Sequence, residues 1–79
     1  MMEDIKIHGI YKHYKGDLYI VEDIGTHSET LEKMIAYRAL YGDNKLWIRP
    51  YSLFVDEVNK NGQKYRFELQ NIHSARGDE

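Results

Sequence analysis

Hydrophobic positions in this chain fall in short runs, punctuated by glycine and small polar clusters at the spacing of strands. Gly9 opens the run Ile10–Lys15, which closes at Gly16-Asp17, a tight-turn pair. Leu18-Tyr19-Ile20-Val21 follows at once and is rich in β-forming residues. The two pieces predict a hairpin. The next stretch, KMIAYRALYGD from Lys33, is two-sided. As a helix capped by Ser28 or Thr30 it clusters Leu31, Met34, Ile35 and Leu40 loosely and ends at Gly42. As a strand it places Ile35, Tyr37, Ala39 and Tyr41 on one face and Met34, Ala36, Arg38 and Leu40 on the other. Periodicity alone leaves both readings open.

The cluster GDNK then marks a turn, and LWIRP is a compact strand with Leu46 and Ile48 on one side and Trp47 and Arg49 on the other. Pro50 cannot donate to a ladder, so it ends the strand or bends the chain at an edge. YSLF fits a single 3₁₀ turn. VDEVNKNGQKYRFEL completes the pattern as a hairpin, because Asn61-Gly62 supplies the positive φ angles its turn demands. The resulting division is an N-terminal extension (1–8), one domain (9–69) and a polar tail (70–79) expected to fray.

Composition narrows the picture without redirecting it. Seventy-nine residues make one domain, which buries only about 60% of the surface its unfolded chain exposes. With 42% hydrophobic and 30% charged residues and a single proline, the chain is globular rather than disordered. Seven tyrosines suit either a small core or a binding face. The absence of cysteine removes disulfides, thiolate nucleophiles and zinc–thiolate sites, and is compatible with a reducing compartment. MMEDIKIHGI carries acids where a signal peptide needs a basic start, and no apolar stretch of about 18 residues occurs. A cytoplasmic protein without a membrane partner is expected. The net charge of −2 gives no global attraction to nucleic acid. Locally, residues 5–16 carry Lys6, Lys12, Lys15, His8 and His13 and no acid, whereas residues 22–32 carry Glu22, Asp23, Glu29 and Glu32 and no lysine or arginine.

With YKHYKG (11–16), HSET (27–30), YRALYG (37–42) and LWIRPYSLF (46–54) in view, the chain resembles a family of short, uncharacterised bacterial domains. That family's pattern runs Tyr-x-His-Tyr-Lys-Gly, His-Ser-Glu-Thr, Tyr-x-x-Leu-Tyr, then Trp-Val-Arg-Pro followed by a Phe. The match spans roughly residues 9–69, and Ile48 stands where Val is usual. The resemblance implies no catalytic residue. It implies an all-β fold, a small SH3-like barrel of about five antiparallel strands with a 3₁₀ turn before the last. Family members often carry β-branched residues where this chain has KMIAY, which tilts residues 34–41 to a strand.

Candidate chemistry is then weighed on that frame. If both flanking runs are strands, EDIGTHSETLEK is the long end of a hairpin. In an extended segment His27 and Glu29 point one way and Ser28 and Thr30 the other, so a Ser28–His27 nucleophile pair is disfavoured. His27 and Glu29 could form half of a metal site, but the sequence marks no obvious third ligand, so neither a metal centre nor a cofactor is expected. The plain alternative is that Thr26 and Ser28 satisfy loop amides while Glu29 pairs with a base. Arg49 beside Trp47 can stack on a ring and still fork onto an anion, or it can be the structural partner of Glu29. Trp47 and Phe54 are expected mainly in the core. Tyr11, Lys12, His13 and Lys15 interleave aromatics and cations as a single-strand platform does, against the plainer reading of a solvated face.

The expectation is therefore a non-enzymatic binding module, monomer or homodimer, with an unidentified ligand. That ligand would be anionic or planar: a nucleotide, single-stranded nucleic acid or a peptide carboxylate. It would be held by His27, Ser28, Glu29, Tyr37, Trp47 and Arg49, the 27–30 loop converging with the face that bears the other three. The alternative is a protein–protein or self-association element whose aromatic surplus is covered by a partner.

Overall fold

The computed structural model describes residues 4–72. The expected fraying at the end of the tail therefore lies outside the described residues. The protein is all-β. β1 (Ile10–His13), β2 (Leu18–Thr26), β3 (Lys33–Ala39), β4 (Leu46–Pro50) and β7 (Phe67–Leu69) form an antiparallel sheet in the order β4-β3-β2-β1-β7. β5 (Glu57–Lys60) and β6 (Gln63–Tyr65) form a separate two-stranded ribbon, and α1 (Tyr51–Phe54) links β4 to it.

The two-sided stretch is a strand over Lys33–Ala39, one residue earlier at its start than expected, while Leu40 and Tyr41, expected to continue it, lie past its end in a bend. Its burial alternates residue by residue, with Ile35, Tyr37 and Ala39 buried and Met34, Ala36 and Arg38 half-buried on the opposite face. β3 pairs with β2 and β4 along its length, and a pleated central strand with one buried face has period two. The β1–β2 connection closes through the amide of His13 on the carbonyl of Asp17 (2.8 Å), with Gly16 at φ 112° where a side chain would be strained. In β2 the register slips between Val21 and Asp23, leaving Glu22 as a bulge that bends this nine-residue strand.

Two expectations change in detail. YSLF winds as one α turn, closed by the Val55 amide on the Tyr51 carbonyl at 3.1 Å, rather than as a 3₁₀ turn. Residues 55–69 are not one hairpin. Asn61 and Gly62 do turn the chain between β5 and β6 at φ 51° and 81°. Arg66 then breaks the strand, and β7 leaves to pair with β1. Arg66 grips Asp56 with two side-chain contacts, 2.8 and 3.0 Å, and its amide bonds the Asp56 carbonyl, so the base of the ribbon is clamped.

In a flat sheet β4 and β7 would stand roughly 19 Å apart, four strand spacings. Instead the Arg49 guanidinium of β4 lies 5.7 Å from the Phe67 ring centre of β7. The sheet is rolled, and α1 fills the seam: Phe54 stacks on Phe67 at 4.1 Å with the rings parallel to within 1°. Around that pair sit Tyr11, Val21, Ile35 and Tyr37, all buried. Ile5, only 8% exposed, joins them from the segment before β1, where Lys6 donates its amide to the Tyr11 hydroxyl.

Truncation of Phe67 removes the centre of this packing. Phe67→Ala is expected to cost about 3–5 kcal/mol, against less than about 1 kcal/mol for Trp47→Ala, which empties no cavity. Urea denaturation of the two variants measures both, and equal losses would contradict a seam closed at Phe67.

Candidate functional site

β-strand alternation sorts the candidate residues onto two faces. Tyr37 and Trp47 are partners across β3 and β4, as are Ile35 and Arg49, and both pairs face the inside of the roll. There Tyr37, Trp47 and Arg49 meet His13 and Lys15 from the β1 hairpin, with Tyr19, Tyr41, Asp17 and Phe67 completing a depression of about 300 Å³. His27 and Ser28 line a different depression, of about 380 Å³, with Asp23, Met34, Ala36 and Ile48. Ala36 and Ile48 alternate with Tyr37 and Trp47, so this second hollow lies on the outer face. The convergence of the 27–30 loop with Tyr37, Trp47 and Arg49 is therefore not what the fold builds. It is the basic hairpin, read in the sequence as a separate platform, that meets them.

The 27–30 loop instead organises itself. His27 Nδ1 accepts the amides of Glu29 (3.1 Å) and Thr30 (3.2 Å), and Thr30 Oγ1 accepts the amide of Glu32. The amide of His27 bonds the Glu32 carbonyl at 2.8 Å, closing the loop. Local side-chain bonds do satisfy the loop amides, through His27 and Thr30 in place of Thr26 and Ser28. Glu29 is exposed and forms no ion pair among the described residues, so it is not the partner of Arg49.

Arg49 is held from its near side. Its Nε donates to the Tyr37 hydroxyl at 3.2 Å, and its guanidinium carbon lies 5.7 Å from the Phe67 ring centre. The other two arginines of the described residues each have a carboxylate: Arg38 with Glu22 at 2.9 Å and Arg66 with Asp56 at 2.8 Å. Arg49 makes no such ion pair, although its charge, after that of Arg66, helps hold the Asp56 carboxyl low, and its terminal nitrogens have no hydrogen-bond acceptor among the described residues. Trp47 is 44% exposed, with Lys45 5.0 Å from its ring centre, and so is a rim residue where the core had been expected. Phe54 takes that core place. Tyr11 is likewise core at 1% exposure, and Lys12 points to solvent from the outer face.

Tyr19 and Tyr41 were missed by the sequence reading. Their hydroxyls are 2.7 Å apart, and the Tyr19 ring packs edge-on against Tyr37 and Phe67. Burial and the bond to Tyr41 push the Tyr19 phenol well above its ordinary range. The available signal was the period of β2, in which Tyr19 shares a face with Val21. His13 stacks near Tyr14 and Phe67 and accepts the Lys15 amide at Nδ1 (3.1 Å). Burial, then the charges of Arg66, Arg49 and Lys15, lower its pKa, with Asp17 opposing. The site is thus a shallow aromatic-walled hollow whose free donors are cationic.

The fold is that of a small all-β domain built on a rolled five-stranded antiparallel sheet with a two-stranded ribbon beside it. A family model described as "Protein of unknown function (DUF1653)" matches residues 9–69, and the chain belongs to that family. The crystal structure of a DUF1653 protein from Bordetella bronchiseptica is similar, with 28% sequence identity and a TM-score of 0.70 over 85% of this chain and 88% of that one. No curated protein matches the chain. None of the helices among the described residues is long and apolar enough to cross a membrane.

The lowered His13 pKa carries a sign for stability. Between its folded value and the ordinary value of about 6.5, the unfolded chain binds the extra proton, so stability rises with pH through that window and is complete above it. Asp56, held low by its bond to Arg66, contributes a second loss only in stronger acid, below about pH 4. Urea midpoints are expected to fall between pH 7.5 and pH 5, and to fall less in His13→Gln. Equal declines in the two proteins would contradict the assignment.

Proposed function

We propose that this protein is a small cytoplasmic binding module that takes an anionic ligand with a planar part, such as a nucleotide, a short single strand of nucleic acid or a peptide carboxylate. The observation that carries the reading is the terminal edge of Arg49, an unpaired fork beside an exposed tryptophan on the inner face of the sheet. A guanidinium presents paired N–H donors that match the spacing of carboxylate and phosphate oxygens. Tyr37 fixes Nε, so the side chain meets the ligand with little rotamer freedom left to lose.

Lys15 supplies a second positive charge in the same hollow, and Trp47 and Tyr41 supply exposed rings on which a base or a peptide plane can stack. Asp17 in the hollow repels a second anionic group, which favours a ligand of low charge. Few cations are present, and phosphate affinity scales with their number, so a mononucleotide or a few nucleotides fit better than a long strand. His27, Ser28 and Glu29 take no part in this site.

Trp47 is the only tryptophan of the chain, so its fluorescence at low micromolar protein, below the concentrations at which copies would pair, reads this hollow. Titration with mononucleotides, short oligonucleotides and peptides ending in a free carboxylate is expected to shift its emission and saturate by about 1 mM. Arg49→Gln is expected to weaken the responding ligand by roughly tenfold or more, the loss of one charge-assisted fork. The reading fails if no ligand class moves the emission, or if Arg49→Gln binds as the native chain does.

A further inference from the structure

β4 is an edge of the five-stranded sheet, bonded to β3 and to no other strand. Its ladder fixes which backbone groups are spare. The Ala39 amide bonds the Lys45 carbonyl, so in this antiparallel pair the groups of residues 45, 47 and 49 point to β3, and those of 46, 48 and 50 point away. No backbone partner for Leu46 or Ile48 exists on that side among the described residues. Their side chains are 43% and 63% exposed. An apolar edge of this kind is normally blocked or covered, because it templates another strand. Pro50 blocks only its end.

From this geometry we infer that the edge of β4 pairs with β4 of a second copy of this chain, antiparallel across a two-fold axis at Ile48. The sequence of the strand selects both partner and register. With Ile48 opposite Ile48, both Ile48 amides meet carbonyls, and each Leu46 amide meets the Pro50 carbonyl of the other copy. The missing amide of Pro50 falls at the outer margin, where its loss matters least. On the outer face Leu46 covers Pro50 and Ile48 covers Ile48. On the inner face Trp47 stands opposite Arg49 of the other copy, a close non-hydrogen-bonded pair at about 4.5 Å between Cα atoms. Tryptophan and arginine attract there, so Arg49, the cation of β4, meets an aromatic of the other copy.

The neighbouring registers lack this match. Shifting the axis to Trp47 sets Lys45 opposite Arg49, like charges face to face. Shifting it to Leu46 requires Asn44 in the ladder, but Asn44 sits at φ 54° with its side chain bonded to the Ala39 carbonyl. A peptide of unrelated sequence would fill the backbone bonds but would have no reason to carry aromatics at these positions. The second copy does, by symmetry.

The inference stands apart from the ligand reading, and their tests read different quantities. A strand of five residues a side buries less than a standard interface, so the dimer is expected to dissociate between about 10 µM and 1 mM. Sedimentation velocity of the full chain up to about 2 mM is expected to give a monomer–dimer equilibrium. Ile48→Lys and Ile48→Pro, at an exposed outer-face position whose amide does not bond β3, are expected to weaken it by roughly 100-fold while circular dichroism stays native. Leu31→Lys, in the β2–β3 loop outside the edge strand, is expected to leave it unchanged. The proposal is overturned if the native chain stays monomeric at 2 mM, whether or not it captures an extended peptide at this edge. It is equally overturned if folded Ile48→Lys dimerises as well as the native chain, or if Leu31→Lys weakens the dimer to the same degree.

Discussion

The packing of Phe67 is the contact on which the rest of the domain depends. β7 is three residues long and meets β1 at only the pairs His13–Phe67, Lys12–Glu68 and Tyr11–Leu69. A ladder that short does not hold a strand in water without a buried side chain behind it. Phe67 supplies that side chain, stacked on Phe54 and met edge-on by Tyr19, Tyr37 and His13 at 4.9 to 5.6 Å. Each such ring pair adds about 0.5–1.5 kcal/mol beyond the area it buries. Because Phe54 comes from α1 and Tyr37 from β3, the same ring also fixes where α1 sits and how far the sheet rolls.

Core and hollow are consequently one aromatic lattice seen at two depths. Tyr37 closes the core with its ring and holds Arg49 with its hydroxyl. Tyr19 does the same one strand over, with its ring on Phe67 and its hydroxyl on Tyr41. The polar tip of a tyrosine is suited to this position, since it lets a buried ring end in a wet edge. In so small a domain the residues that stabilise the fold also aim the residues that line the hollow, and the two roles are separable only at the rim, where Trp47 and Lys15 stand.

The strand frame was legible in the sequence because its signals are local. Gly16-Asp17, Asn61-Gly62 and Pro50 each act through their own backbone angles, and they mark a turn, a turn and a strand end where the structure has them. Residues 33–39 were ambiguous because a strand with alanine and methionine on its outer face scores as well for helix as for sheet. What decided it was pairing on both sides, which no local pattern records. The break at Arg66 was hidden for a similar reason. Its cause is the grip on Asp56, ten residues away, and the demand of β1 for a further partner. The candidate site suffered most from this blindness. Sequence spacing tells which side chains share a face of one strand, but which faces meet is set by the direction of roll. Arg49 and His13, on opposite sides of the sheet order, were thereby joined, while His27 went to the outer surface.

By that division the inner-face hollow and the β4 edge use different groups. Odd-numbered residues of β4 send their side chains inward and their backbone bonds to β3. Even-numbered ones send side chains outward and backbone bonds to the open edge. An anion on the terminal nitrogens of Arg49 uses none of the amides that a second strand needs. The pairing proposed at Ile48 would bring Trp47 of the other copy beside that arginine, and so would add a ring to the wall of the hollow. A guanidinium can carry a ring on its face and an anion on its edge at once, since the two contacts use perpendicular directions of the same planar group. Lysine at position 49, a compact charge without a plane, would have to choose between them.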